Sequence, residues 1–329
     1  MSVTTSKIAE KVSDDDYFDQ LLRLSEASVH RRFDPFVDID WNAPEHAIVP
    51  GDRRWILPTS DIVGGHSWYR SLPEEEQIAV GRWRIANIYK VGLQFESILI
   101  RGMTQYSFTV PNGSPEFRYC VHETAEECNH TMMFQEMINR IGLDVPGVSW
   151  WMRAISPIIP LAAGISPAIF FIGILAGEEP IDHTQKAMLR GDTSGIHPIA
   201  LRVMEIHVAE EARHISFAHQ FLQRRIVGMN PAGRFVMSLA FPIAMRWLVG
   251  EIMVPPRRFQ QEFDIPDSVM DDIFWKSPES SKILRDMFSD VRMLAHNAGA
   301  MNPVSRLFWK AFRIDGGRSR FRSEPARGH

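Results

Sequence analysis

Two short stretches, "EECNH" at residues 126–130 and "EIHVAEEARH" at 205–214, constrain the fold more than any other feature of this chain. Each carries a Glu-x-x-His step, Glu127 with His130 and Glu211 with His214, and the second is extended upstream by His207. On a helix, steps of three and four share a face, and His207, Glu211 and His214 fall within about 60° of arc. Carboxylates and imidazoles on such faces, set among apolar neighbours, are costly to bury unless paired or metal-bound. The chain must therefore bring two helices together with their polar faces inward.

The rest of the sequence supplies such helices. Ser71, a Pro and three Glu open a helix over residues 71–108 with apolar residues at helical spacing. A second runs through "FRYCVHETAEECNHTMMFQEMINRIG" and closes at Gly142. A third begins inside an apolar segment and continues through "FFIGILAGEEPIDHTQKAMLRGD", where Pro180 should bend it or leave it irregular. A fourth starts at Pro198 and ends at Gly228, and further helices after residue 230 cover the others. Four long helices with almost no strand pattern predict an all-α bundle.

Residues 1–70 read as an N-terminal wrapping segment with one amphipathic helix, "DDDYFDQLLRLSEASVHRRF". Residues 71–312 form the helical domain, and 313–329, polar and Gly/Arg-rich, a disordered tail. The run "AISPIIPLAAGISPAIFFIGILAG", residues 154–177, is uncharged for 24 positions, long enough to span a bilayer. Prolines 157, 160 and 167 remove backbone donors that lipid cannot replace, which favours a buried core segment or pocket wall over membrane contact.

Two Glu-x-x-His faces call for one further carboxylate from each of two other helices if they are to hold two metal ions. On the first helix this is Glu96, alone in the apolar run "GLQFESILI"; on the third it is Glu178, with Glu179 as the alternative. With His207 the set is Glu96, Glu127, His130, Glu178, His207, Glu211 and His214: seven ligands, more than a structural zinc site uses and suited to iron or manganese. Glu126 and Glu210 are placed to accept a hydrogen bond from a ligand His on the facing helix. His122, His183 and His219 lack ligand spacing and read as polar or core residues, and Cys128 as a packing residue turned away from the ligand face.

Composition narrows the function. The 36 Lys and Arg against 40 Asp and Glu leave a net charge of −4, with no broad attraction for nucleic acid. The two cysteines, Cys120 and Cys128, lie on one helix roughly 12 Å apart, beyond disulfide reach, and no basic apolar leader is visible. A reducing, cytoplasmic setting is expected, with a weak membrane association and a homodimer both compatible with the sequence.

In its ligand order, Glu96, then Glu127 with His130, then Glu178, then His207 with Glu211 and His214, the chain resembles the AurF family of di-iron oxygenases over about residues 70–230. Ordinary ferritin-like di-iron proteins lack the additional histidine. The resemblance implies a ferritin-like core, two iron ions, dioxygen as co-substrate and oxygenation of an aryl amine; the same ligands also accept a manganese and iron pair, and the sequence does not identify the electron donor. The resemblance also implies Asp before each motif glutamate, where this chain has Glu126 and Glu210. The apolar run before Glu178 points instead to a lipid-like substrate and a fatty-acyl hydroxylase or desaturase. A non-catalytic iron-oxidising or storage protein is the reading from outside enzymology.

Overall fold

The computed structural model describes residues 13–319. Helices of nine residues or more are labelled α1 (Asp14–His30), α2 (Glu74–Ser107), α3 (Pro115–Ile141), α4 (Pro167–Arg190), α5 (Pro198–Val227), α6 (Pro231–Met253), α7 (Pro278–Asp286), α8 (Ser289–Asn297) and α9 (Pro303–Ala311). No strand occurs among the described residues, so the expected all-α, ferritin-like bundle holds.

Local chemistry sets most helix ends. Ser114 caps α3 by accepting from the Glu116 amide, Asn230 caps α6, and Gly142, at φ 73°, closes α3 in the left-handed conformation that glycine enters freely. The start of α2 departs from expectation. Ser71 ends a preceding short helix and donates to the Trp68 carbonyl, while Pro73 precedes α2 without a side-chain cap. The three glutamates of its first turn favour that end through the helix dipole. Pro180 lies inside α4, which continues to Arg190.

α2 packs on α3, and α4 on α5 and α6. Two apolar clusters form along this bundle and meet at a polar waist. One takes Tyr119 and Cys120 from α3, Ala168–Ala176 from α4 and Ile215–Ile226 from α5; the other takes Met133–Ile141 from α3 and Ile199–Ile206 from α5. Between them, each helix turns its charged residues to the same level: 123–130 on α3, 178–185 on α4 and 207–214 on α5. The helical period alone places the polar faces opposite one another at mid-bundle.

The wrapping segment shares this core. Ile39, Trp41, Trp55 and Leu57 are buried in the second cluster, and Asn129 donates to the Phe33 carbonyl at 2.9 Å. The start of the expected disordered tail is packed as well. Ile314 is fully buried, and Arg292 donates to the carbonyls of Ile314 and Gly317, both at 2.8 Å. Residues 320–329 lie outside the described residues.

The apolar run 154–177 is not one helix. Its prolines divide it into the end of a short helix (Trp150–Ile155), a 3₁₀ turn (Ile159–Leu161), a further short helix (Ala162–Ile165) and the start of α4. Residues 168–176 are largely buried core, whereas Ile158, Leu161 and Ile165 are exposed. Among the described residues, the segment apolar enough to cross a membrane by length and composition lies elsewhere, within Pro231–Glu262, which contains α6; its 18-residue apolar window has mean hydropathy 1.5 and is 44% buried. In this fold α6 packs on α4 and α9.

Candidate metal centre

All seven candidate ligands are buried at the waist. α2 brings Glu96, α3 Glu127 and His130, α4 Glu178, and α5 His207, Glu211 and His214. Ligand atoms of Glu96, His130 and His207 lie within 4.8 Å of one another, as do those of Glu127, His130 and Glu211, and those of Glu178, His207 and Glu211. His214 joins through Nδ1, 2.8 Å from Glu127 Oε1 and 3.3 Å from Glu211 Oε1.

The choice between Glu178 and Glu179 is decided by what each touches. Glu179 Oε1 accepts from His219 Nε2 at 2.6 Å, away from the cluster, and Glu178 takes the cluster position. His122 packs beside Arg118 at the surface, and Cys128 is exposed and unpaired.

The outer hydrogen bonds cross between α3 and α5. His130 on α3 donates through Nε2 to Glu210 on α5 at 2.9 Å, and His214 on α5 donates through Nε2 to Glu126 on α3 at 2.7 Å. Each bond leaves Nδ1 facing the cluster, which fixes tautomer and ring orientation together. Both outer glutamates thus reach an imidazole on the facing helix. Arg213 ties the two outer carboxylates, donating to Glu126 at 2.9 Å and to Glu210 at 3.4 Å, and the Phe33 amide donates to Glu210 at 3.3 Å. The wrapping segment is therefore part of the site's support.

His207 is turned the other way. Its Nδ1 donates to Gln185 Oε1 on α4 at 2.8 Å, so Nε2 faces the cluster, 3.3 Å from Glu96. Phe134 packs on the His207 ring at 5.2 Å between centroids. Gly92 on α2 permits this: a Cβ there would stand 2.8 Å from the Phe134 ring.

Electrostatics at the waist follow burial and crowding. Burial, then the Glu127 charge, push Glu96 well up, and burial with Glu211 does the same for Glu178. For Glu127, burial is outweighed by the His214 and His130 imidazoles, which hold it low. His130 and His214 are raised although burial opposes it, because carboxylates surround them. Burial takes His207 down to about 4.

Whether the residues fit metal ions is answered by the oxygens left over. Glu96 Oε2, Glu127 Oε1 and Glu211 Oε2 are buried without a hydrogen-bond partner, and the 2.8 Å approach of His214 Nδ1 to Glu127 Oε1 lacks hydrogen-bond alignment. Unsatisfied carboxylate oxygens converging with three imidazoles suit a carboxylate-bridged pair of divalent cations.

Three supporting residues escaped the sequence reading, although spacing held a signal for each. Gln185 follows Glu178 by seven positions, Glu123 precedes Glu127 by four, and Arg213 follows Glu210 by three, all on shared helix faces. Glu123 is buried with neither oxygen partnered, and burial pushes it up to about 8.

A family model described as "P-aminobenzoate N-oxygenase AurF" matches residues 14–299, well beyond the 70–230 expected. Among similar proteins, the uncharacterized proteins Rv0885 of Mycobacterium tuberculosis (strain H37Rv) and Mb0909 of Mycobacterium bovis are each 58% identical over 319 residues. The alignments cover 97% of this chain and 94% of each relative.

Proposed function

The chain belongs to the AurF family, and from that premise we propose that it is a non-haem di-iron oxygenase that uses dioxygen to oxidise an organic substrate. The observation that carries the reading is the buried set of four carboxylates and three imidazoles at the waist, with carboxylate oxygens left unpartnered. Glu96, Glu127, His130, Glu178, His207, Glu211 and His214 are the proposed ligands of two iron ions, or of a manganese and iron pair. Bound there, the metals supply the electrons that reduce dioxygen. The protein orients the imidazoles through Glu126, Glu210 and Gln185, and the flanking apolar clusters keep bulk water from the waist.

The family's named reaction makes an aryl-amine nitrogen the proposed site of oxygenation, with an external electron donor. A second reading, hydroxylation or desaturation of an acyl chain, is favoured by the apolar cavity lined by Gln185, the residue that holds His207. That cavity also argues against iron storage, which needs no organic pocket. The unpaired thiols of Cys120 and Cys128 suit the cytoplasmic location proposed here.

The test is metal content per chain in protein produced with iron available, together with the optical spectrum of the reduced protein after oxygen is admitted. Two irons and a transient visible band are expected. No metal, or one zinc, would sink the dinuclear reading.

A further inference from the structure

Beyond His207, away from the four-carboxylate waist, lies a cavity of about 80 Å³. Its walls come from α2 (Ile85, Ile88, Tyr89), α4 (Ile181, Thr184, Gln185) and α5 (Ala200, Met204). The cavity is linked to the proposed ligands through Gln185, which lines it and holds the His207 ring. Met204 precedes His207 by three residues, and Ile181 follows Glu178 by three. The apolar run 154–177 does not line it.

Five polar side chains reach the wall, and each already has a partner inside the protein. Tyr89 donates to the Ala200 carbonyl at 3.3 Å and Thr184 to the Pro180 carbonyl at 2.7 Å, while Gln185 Oε1 accepts from His207. Arg84, the one cation among them, is itself buried and holds both Asp61 oxygens through Nε at 3.1 and 3.0 Å. Asp61 also accepts from the amides of Val63 and Gly64. A ligand carboxylate entering here would lose its hydration and find the guanidinium already neutralised. An apolar ligand meets isoleucine faces and methionines, whose unbranched chains adapt to shape.

We propose that this cavity binds the substrate and selects an uncharged, apolar molecule, rejecting a carboxylate such as that of p-aminobenzoate. The role of the molecule as substrate rests on the oxygenase reading; its binding and its selectivity stand on the cavity alone. Both are therefore measured without turnover.

The experiment is equilibrium dialysis of the iron-loaded protein, under anaerobic conditions, with two probes of matched shape: 4-methylaniline and 4-aminobenzoate. The neutral probe is expected to bind at least about tenfold tighter. Met188→Trp, a substitution at the cavity wall, should weaken 4-methylaniline at least about tenfold with two irons per chain retained. Asp61→Asn, which keeps the acceptor for the two amides but frees Arg84, should narrow the gap by tightening 4-aminobenzoate alone. Equal or tighter binding of 4-aminobenzoate to the unmodified protein would overturn the proposal, as would 4-methylaniline binding indifferent to Met188→Trp. Failure of the oxygenase reading shows separately, as absent iron or an absent oxygen response, and leaves the dialysis result intact.

Discussion

The imidazoles of the waist are supported on two different principles, one charged and one neutral. His130 and His214 are backed by the carboxylates of Glu210 and Glu126, crossing reciprocally between α3 and α5 and pinned by a shared arginine. His207, whose ring centroid is 4.8 Å from that of His130, is backed instead by the neutral amide of Gln185, itself on the wall of an apolar cavity. Surrounding carboxylates raise the pKa values of the first pair, whereas burial takes His207 down to about 4. A carboxylate behind an imidazole raises its basicity and so its strength as a ligand; an amide fixes the ring without adding charge. The carboxylate-backed pair is thus the more basic pair of ligands, while the support that His207 shares with the cavity wall, Gln185, is uncharged.

The harshest way to break the contrast is at its centre. Glu127 lies 3.2 Å from His130 and 2.8 Å from His214, so Glu127→Ala strikes both members of the carboxylate-backed pair. Metal content is expected to fall below one ion per chain, with affinity down by more than about a hundredfold in a metal titration. Two ions retained at unchanged affinity would remove Glu127 from the ligand set.

Glu123 tests how far the charged support extends along α3. Burial raises its folded value to about 8, above the ordinary carboxylate value of about 4.3 in the unfolded chain. A raised folded value means stability that is complete below the unfolded value and lost as pH rises through about 8. Glu123→Gln should therefore match the parent protein near pH 5 and exceed it near pH 9, by on the order of 2–4 kcal/mol. Thermal melts of the metal-free proteins at both pH values read this directly; equal losses in parent and variant would mean that Glu123 ionises without cost.

Reciprocity itself is tested next. If Glu126 and Glu210 do equivalent work, Glu126→Ala and Glu210→Ala should each weaken metal binding about 10- to 100-fold, and by similar factors. A large difference between them, measured by competition with a chelator of known affinity, would show that one metal position dominates.

The charged support was far more legible in the sequence than the neutral one. Glu127, His130, Glu211 and His214 carry a spacing fixed by the helix, and Glu126 and Glu210 sit beside them, so even the crossing hydrogen bonds followed from two short stretches. Glu96 stood out because a lone carboxylate in an apolar run needs a cation. Gln185 carried only the weak mark of lying seven positions after Glu178, since a glutamine on a polar helix end is ordinary. The Asp61–Arg84 pair joins the wrapping segment to α2, 23 positions apart, and only the folded chain brings it to the cavity. The proline-broken run 154–177 was legible as core, which residues 168–176 are, but hydropathy does not say which cavity a stretch lines, and this run does not line the one beside Gln185.

The smallest expected effect separates the two kinds of support most directly. Gln185→Ala removes one neutral hydrogen bond from His207, so metal affinity should fall by about tenfold or less, below the loss from Glu210→Ala. Gln185→Glu asks whether neutrality itself matters. It gives His207 the same carboxylate backing as His130 and His214, and should strengthen metal binding slightly while placing a charge on the wall of the cavity. The expected consequence is weaker binding of 4-methylaniline alongside undiminished metal. A variant that gained metal affinity and bound the neutral probe equally well would show that the amide serves geometry alone, and that the cavity's selectivity is set entirely by the Asp61–Arg84 pair.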